Sequence, residues 1–188
     1  HPAAPVRHMD AECAVGAAVA VLSGGGDVVY LFNHFQNAGW PPVDYQRRLK
    51  AFSSLTELCN LPRRHVVTYR EVVVPGENYR APLPATGREL SFRLPLGPTP
   101  PADWRAEAII EMAPNDGHFE NPRVSVNDVA AELAKAQSLE NGNRLLTFSI
   151  PTGALAGKSS DTINVTAAAE ESIKLLGVEV RIFPTTGQ

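Results

Sequence analysis

The chain has 188 residues, a formal net charge of −3 and 44% apolar residues, enough for one packed domain or a domain with a subdomain. No block of like charge stands out, so we expect neither a nucleic-acid partner nor a basic membrane-binding surface. The longest apolar segment, residues 11–22, is too short to cross a bilayer. No signal peptide is visible and the first residue is not Met, which fits a processed or recombinant fragment.

The first third of the chain has the pattern of an α/β protein. Asp10 is the predicted N-cap of a helix that ends at Ser23 and the glycines after it. Asp27 is followed by five apolar or aromatic residues, 28–32, and this unbroken run predicts a strand over residues 27–32 that is covered on both faces. A second helix is predicted from its N-cap, Asp44, to Asn60, because apolar side chains recur there at spacings of three and four.

The pattern changes at residues 62–65, and short strands are predicted from there onward. Strict alternation of apolar and polar residues indicates strands with one buried and one exposed face, over residues 89–96, 105–112, 122–128, 144–151, 161–167 and 173–183. In the last of these, Leu176, Val178, Val180 and Ile182 are expected on the buried face. The predicted fold is mainly β: an antiparallel jelly-roll-type β-sandwich (residues 63–188) preceded by a small helix–strand–helix α/β segment (residues 1–62).

Residues 126–143 allow two interpretations. The sequence Ala-Ala-Glu-Leu-Ala-Lys has high helix propensity, which favours a short helix. The alternative is a turn at Asn127 and Asp128 followed by irregular chain.

Two parts of the sequence resemble known proteins. "GGGDVVYLFNHF" (residues 24–35) followed by "LKAFSSLTELCNLPRRH" resembles the last βα unit of bacterial (β/α)8-barrel proteins of the glycoside-hydrolase type. "NPRVSVNDVAAEL", "LLTFSIPTGALAGKSSDTINVTA" and "LLGVEVRIF" resemble the galactose-binding-like β-sandwich often appended to such barrels. A full barrel needs on the order of 250 residues. The resemblance therefore implies the C-terminal piece of a longer protein, or a small derivative that kept one barrel unit.

The resemblance implies a carbohydrate-active context, and three hypotheses follow. Glycoside cleavage usually needs two carboxyl groups, and no second carboxylate is placed near Asn33. We therefore expect an accessory, non-catalytic module that binds a poly- or oligosaccharide or supports a barrel. The first alternative is a glycoside-hydrolase fragment that is active only with the missing barrel strands. The second is an assembly module, or a homo-oligomer, that pairs through residues 28–32. A secreted or cell-envelope location is expected over a cytoplasmic one.

The candidate ligand-binding residues are Asn33, His34, Trp40 and Trp104. Asn33 and His34 follow the predicted strand at the end where a barrel presents its ligand contacts, with Trp40 nearby. Amide and imidazole groups suit sugar hydroxyls, and an indole suits the apolar face of a sugar ring. In the alternative interpretation, Asn33 and His34 satisfy loop backbone groups and both tryptophans pack against the protein.

Metal and charge clusters give weaker signals. Cys13 and Cys59 are too few for a zinc site and are expected as buried thiols, with a disulfide left open. Calcium is the one metal considered, because Asn115, Asp116 and Glu120 offer oxygen ligands in one loop; a plain Asn-Asp-Gly turn is the alternative. No other cofactor motif is present. The basic cluster at residues 63–65 is expected to be a solvated face or an interdomain salt bridge rather than an anion site.

Overall fold

The computed structural model describes residues 10–30, 42–67, 81–114, 120–155, 157, 160–168 and 172–185. Three α-helices occur in these ranges: α1 (Ala11–Ser23), α2 (Pro42–Ala51) and α3 (Leu55–Cys59). The same ranges contain nine strands: β1 (Arg63–Val66), β2 (Ala85–Gly87), β3 (Glu89–Leu94), β4 (Trp104–Met112), β5 (Arg123–Val126), β6 (Val129–Ser138), β7 (Arg144–Ile150), β8 (Asp161–Thr166) and β9 (Ile173–Pro184).

The described strands form one antiparallel sheet that folds back on itself. The strand order is β1-β9-β4-β7-β6-β5-β8-β3, and the short β2 also pairs with β9. Strand β6 joins the two layers, because its first residues pair with β5 and the rest pair with β7 across a bulge between Leu133 and Lys135. The predicted fold class, mainly β and sandwich-like with a small helical segment at the N-terminal end, is confirmed.

Side-chain alternation fills the space between the two layers. The apolar residues of β4, β5, β7 and β8 that share a face are buried in one core cluster, as predicted. Leu176 is an exception, because Met112 lies opposite Leu175 whereas Glu111 lies opposite Gly177. The extra residue shifts the alternation, so that Leu175 enters the core and Leu176 is only half-buried.

Residues 126–143 contain a two-residue turn, strand β6 and a second turn, so neither a helix nor irregular chain follows the first turn. Asn127 and Asp128 have φ values of 49° and 67°, the left-handed conformation of a two-residue hairpin turn, and Val126 pairs with Val129. The predicted turn is therefore present. Backbone pairing with β5 and β7 overrides the helix propensity of the alanine-rich stretch. The Asn127 side chain fixes the turn by donating to Asp161 at 2.6 Å and accepting from the Thr162 N–H at 2.9 Å.

The helices differ from the prediction at two points. Helix α2 begins at Pro42, because proline suits the first helical position, so Asp44 lies inside the helix and is not its N-cap as predicted. Asp10 caps α1 as expected, accepting a hydrogen bond from the Cys13 N–H at 3.0 Å. The single helix predicted from Asp44 to Asn60 is instead two helices, because Ser54 accepts from the Glu57 N–H and starts a new one. A second apolar cluster joins the three helices, and it consists of Val15, Ala18, Val19, Ala51, Phe52, Leu58 and Leu61.

The predicted buried strand at residues 27–32 is wrong in its described part. Residues 28–30 form no strand, and Val28 and Tyr30 are 69% and 83% exposed. Only Val29 packs against the helical cluster. An apolar run becomes a buried strand only where neighbouring strands supply hydrogen bonds, and the described residues supply none here. Residues 31–32 lie outside the described residues, and the predicted division at residues 62–63 stays a prediction.

Helix α1 packs closely against the backbone of β1. A Cβ atom added at Gly16 would lie 2.0 Å from the Arg64 carbonyl oxygen, so only glycine allows this approach. None of the helices in the described ranges is both long and apolar enough to span a bilayer.

Replacement of Gly16 by Ala tests this contact. Alanine normally stabilises a helix interior by about 1 kcal/mol relative to glycine. At Gly16 we expect a loss of about 2 kcal/mol or more in the free energy of unfolding, because the methyl group collides with backbone. The matched control is Gly153→Ala, where nothing lies within 4 Å of the new Cβ. Urea unfolding checks both variants, and equal stabilities would contradict the close approach.

Candidate functional site

Five charged side chains converge where the first turn of α1 meets the outer face of the sheet. Arg64 of β1 and Glu179 and Arg181 of β9 alternate with core residues, so their side chains point away from the sandwich core. Arg64 and Glu179 are nevertheless only 8% and 2% exposed, because α1 covers this part of the sheet. Buried charges of this kind need partners, and the structure supplies them.

The guanidinium of Arg64 binds both the sheet and the helix. Its Nε and Nη2 atoms donate to the two carboxylate oxygens of Glu179 at 3.2 and 2.5 Å. Its Nη1 atom donates to Oδ2 of Asp10 at 2.8 Å, while Oδ1 of Asp10 caps the helix. One cation therefore connects β1, β9 and the N-terminus of α1 through fork-shaped hydrogen bonds.

A second ion pair lies beside the first. Arg181 donates from Nε and Nη2 to the two oxygens of Glu12, both at 2.8 Å. The Arg181 guanidinium also lies 4.9 Å from the ring centroid of Phe183. Because Glu12 belongs to the first turn of α1, this pair adds a second connection between the helix and β9.

Burial and pairing act in opposite directions on the carboxyl groups. Burial raises the pKa of Glu179, and the bound Arg64 opposes that rise. Partial burial of Asp10 is outweighed by the Cys13 N–H and by Arg64, so the pKa of Asp10 is lowered from its ordinary value. We therefore expect Asp10 to be ionised at neutral pH.

These ion pairs line a cavity of about 310 Å³, here named the charged cavity. Its wall consists of the five charged side chains Asp10, Glu12, Arg64, Glu179 and Arg181. Its floor consists of the outward-facing Ile109, Leu145 and Thr147 on β4 and β7. The site thus combines hydrogen-bonding walls with a mainly apolar floor.

On the opposite face of β1, Arg63 ties the helices to the sandwich. Its fully buried guanidinium donates to the carbonyl oxygens of Cys59 at 3.0 Å and Pro98 at 3.4 Å. It also lies 5.9 Å from the Trp104 ring centroid. The carbonyl of Cys59 belongs to the last residue of α3, so this bond satisfies a helix end with a cation.

Trp104 is the predicted ligand-binding residue that the structure describes. Its side chain is 8% exposed and belongs to the sandwich core, where it packs as the alternative interpretation expected. Little of its indole is accessible to a ligand. Contact between Trp104 and a sugar stays a prediction.

The other predicted site residues stay untested. Asn33, His34 and Trp40 lie outside the described residues, as do Asn115 and Asp116. Glu120 is described and exposed. Within the described ranges, no group of three or more His, Cys, Asp or Glu side chains could hold a metal ion. The calcium site therefore also stays a prediction.

Both cysteines are thiols, since no disulfide joins Cys13 to Cys59. Burial raises the pKa of Cys13 to about 11, which keeps its thiol protonated at neutral pH.

Sequence reasoning identified only part of this site. The basic cluster at residues 63–65 was visible, and Arg64 forms the salt bridge between the two segments that was one of its two favoured interpretations. Its partners were not identified, because Asp10 and Glu179 are 54 and 115 residues away along the chain. Capping by Asp10 was the one signal that placed a carboxylate at the helix end.

Comparison with known proteins gives a distant structural similarity. No family model matches the chain, and no curated protein matches it. Among solved structures, the chain is similar to BuGH86, a glycoside hydrolase, in complex with neoagarooctaose, with 14% identity and a TM-score of 0.45. A variant of the same protein in the same type of complex gives 14% identity and a TM-score of 0.43.

Each match covers 65% of this chain but only 19% and 18% of the respective BuGH86 chains. The chain therefore spans about a fifth of those structures. A similarity at this level does not establish a common function.

Removal of Glu179 tests the ion pair. Glu179→Ala removes one carboxylate partner from the buried Arg64, and we expect a loss of about 3 kcal/mol in the free energy of unfolding. The matched control is Glu132→Ala, because Glu132 is exposed on β6 and its loss should cost about 0.5 kcal/mol or less. Urea unfolding at neutral pH measures both, and a Glu179 variant as stable as the control would contradict the role of the pair.

His65 predicts a pH dependence of stability. Its side chain is 4% exposed, and its Nε2 atom has no hydrogen-bond partner among the described residues. Burial is the main cause that lowers the pKa of His65 to about 3, and the positive charge of Arg63 lowers it further. An unfolded histidine titrates near 6.5, so the unfolded chain binds the proton first as the pH falls. Stability should therefore fall between pH 6.5 and about 3, by up to about 1.4 kcal/mol per pH unit.

Replacement by leucine isolates this effect. His65→Leu removes the proton-binding group, so its stability should fall less steeply over that pH range than that of the unsubstituted chain. The lowered pKa of Asp10 adds a loss below its ordinary value of 3.8, and the raised pKa of Glu179 acts in the opposite direction. The contributions of Asp10 and Glu179 are the same in the unsubstituted chain and in His65→Leu, so they cancel when the two stabilities are subtracted. Urea unfolding in a series of buffers checks the slopes, and equal slopes would show that His65 does not titrate as proposed.

Proposed function

We propose that the chain is an accessory, non-catalytic module of a carbohydrate-active protein, and that it supports a (β/α)8 barrel and contributes to carbohydrate binding. The observation that carries the supporting role is the exposed segment at residues 28–30. The sequence of this segment resembles the last strand of such a barrel, and its two most exposed side chains are apolar.

The segment has the properties of a strand without its neighbours. Val28 and Tyr30 point outward while Val29 packs on the helical cluster, which is the alternation of an extended chain lying on helices. Residues 28–30 form no backbone hydrogen bond with any other described residue. An apolar segment whose backbone groups no described residue pairs can add a strand from another part of the protein. A neighbouring barrel strand would cover the side chains and complete the hydrogen bonds.

Hydrogen bonds and ion pairs also attach the helical segment to the β-sandwich. Arg64 joins α1 to β9 through Asp10 and Glu179, and Arg63 joins α3 to the loop at Pro98. Gly16 brings the backbones of α1 and β1 into contact. A barrel strand docked at residues 28–30 would therefore be held in a fixed position relative to the β-sandwich.

Two alternative functions predict different behaviour of the same segment. A hydrolase fragment would dock the missing strands and gain activity with them. An assembly module would pair residues 28–30 with a second copy of the chain.

Hydrogen exchange at residues 28–30 tests the supporting role. We expect the amides of Val28, Val29 and Tyr30 to exchange about tenfold or more slowly in the product of the complete reading frame than in this chain alone. Equal exchange, or a reading frame without further barrel units, would overturn the proposal. Sedimentation of this chain at high concentration should show a monomer. A dimer would support the assembly module instead.

A double substitution adds an energetic readout. Val28→Ser with Tyr30→Ser should change the stability of this chain by about 0.5 kcal/mol or less, because both side chains are exposed. In the longer protein the same change should cost about 2 kcal/mol or more, because apolar contacts with the barrel would be lost. The matched control is Val129→Ser, an exposed valine on β6, which should have the same small effect in both proteins. Activity that appears only in the longer protein and depends on a carboxylate of this chain would favour the hydrolase fragment.

A further inference from the structure

We propose that the charged cavity binds one neutral polyhydroxylated ring, such as a single sugar residue. This assignment rests on the carbohydrate-binding part of the proposed function and does not depend on the barrel-supporting part. It follows from the unused hydrogen-bonding capacity of the wall, the apolar floor and the size of the cavity.

The wall has acceptors to spare. An ionised carboxylate accepts about four hydrogen bonds. Asp10 accepts from the Cys13 N–H, from the Cys13 thiol and from Arg64, whereas Glu12 accepts two hydrogen bonds from Arg181 and Glu179 accepts two from Arg64. Glu12 and Glu179 thus each use about half of their capacity, and hydroxyl groups of a ligand can donate to the rest.

The cavity also offers donors. Arg181 donates to Glu12 from Nε and Nη2, which leaves both Nη1 hydrogens available on a half-exposed side chain. The Thr147 hydroxyl, on the floor, forms no hydrogen bond with any described residue. A hydroxyl group both donates and accepts, so a ring carrying several hydroxyls matches a wall with both kinds of partner.

The floor suits the C–H face of a ring. Thr147, Ile109 and Glu179 lie opposite one another on β7, β4 and β9, so they form one row across three strands. Neighbouring strands lie about 4.8 Å apart, which gives the row a length of about 10 Å. Ile109 lies at the centre of this row and Leu145 beside it on the floor. A volume of about 310 Å³ is at the lower limit for small-molecule sites and fits a single ring better than a chain of rings.

The charges favour a neutral ligand. Arg64 and Arg181 are already paired with carboxylates at hydrogen-bonding distance. An added anion would face three carboxylates against two guanidinium groups. An added cation would share these carboxylates with the two guanidinium groups already bound to them, and like charges at such short distances repel. Neutral hydroxyl groups need only the spare hydrogen-bonding positions.

Methyl NMR of the intact chain tests this site. The methyl groups of Ile109, Leu145 and Thr147 report from the floor. The probes are the methyl glycosides of glucose, galactose, mannose and xylose, with methylguanidinium chloride and sodium acetate as charged comparators. We expect saturable shifts of these methyl signals with at least one glycoside, at a Kd near 1 mM. No shift with any glycoside, or shifts with a charged comparator alone, would overturn the assignment.

A pair of threonine variants separates binding in the cavity from binding elsewhere. Thr147→Val keeps the shape of the side chain but removes the hydroxyl, and should weaken glycoside binding about fivefold. Thr166→Val, on β8 in the other layer, is the matched control and should leave binding unchanged. Equal affinities of the two variants would contradict a contact with Thr147. Hydrogen exchange at residues 28–30 reports on barrel support separately, so either result can fail without the other.

Discussion

The position of α1 on the sheet depends on one side chain, the guanidinium of Arg64. It binds Glu179 on the neighbouring strand and Asp10 at the start of the helix, while the carbonyl group of the same residue lies against Gly16. Strand β1 is one end of the sheet, so its outer edge has no strand beside it among the described residues. Covering such an edge with a helix prevents pairing with other chains, and the contacts of Arg64 hold the cover in place.

The ion pairs fix the orientation of α1, which its apolar contacts alone would not do. Apolar side chains of α1 pack with α2 and α3, but apolar burial is non-directional and would tolerate rotation or sliding of the helix. Hydrogen bonds from Arg64 and Arg181 reach Asp10, the N-cap of α1, and Glu12 in its first turn. The N-terminal end of α1 can therefore neither rotate about the helix axis nor slide over the sheet. The spare hydrogen-bonding positions of these groups also create the charged cavity, so the same residues that position the helix form the wall of the proposed site.

The sequence predicted elements whose side chains alternate between core and solvent, and missed features set by contacts over long distances. Strands such as β4 and β7 were visible because every second residue is buried. Strand β6 was not, because nearly all of its side chains are exposed and its pairing is a backbone property. The bulge at Leu176 is likewise set by the register with β4. At Ser54, a capping signal was present, but the apolar spacing continued across it and suggested one helix. For the candidate site, residues 63–65 could be identified, whereas their carboxylate partners are distant in sequence.

Two segments have backbone groups without a strand partner among the described residues, and their side chains differ. Residues 132–138 of β6 pair with β7 alone among the described strands, and they carry Glu132, Lys135 and a bulge, which are the features that keep an edge from pairing. Residues 28–30 carry neither a charged side chain nor a bulge, and expose Val28 and Tyr30 instead. Charged side chains thus guard the free edge of β6, whereas none guards residues 28–30. This difference supports the proposal that another strand covers residues 28–30, whose own sequence resembles a barrel strand.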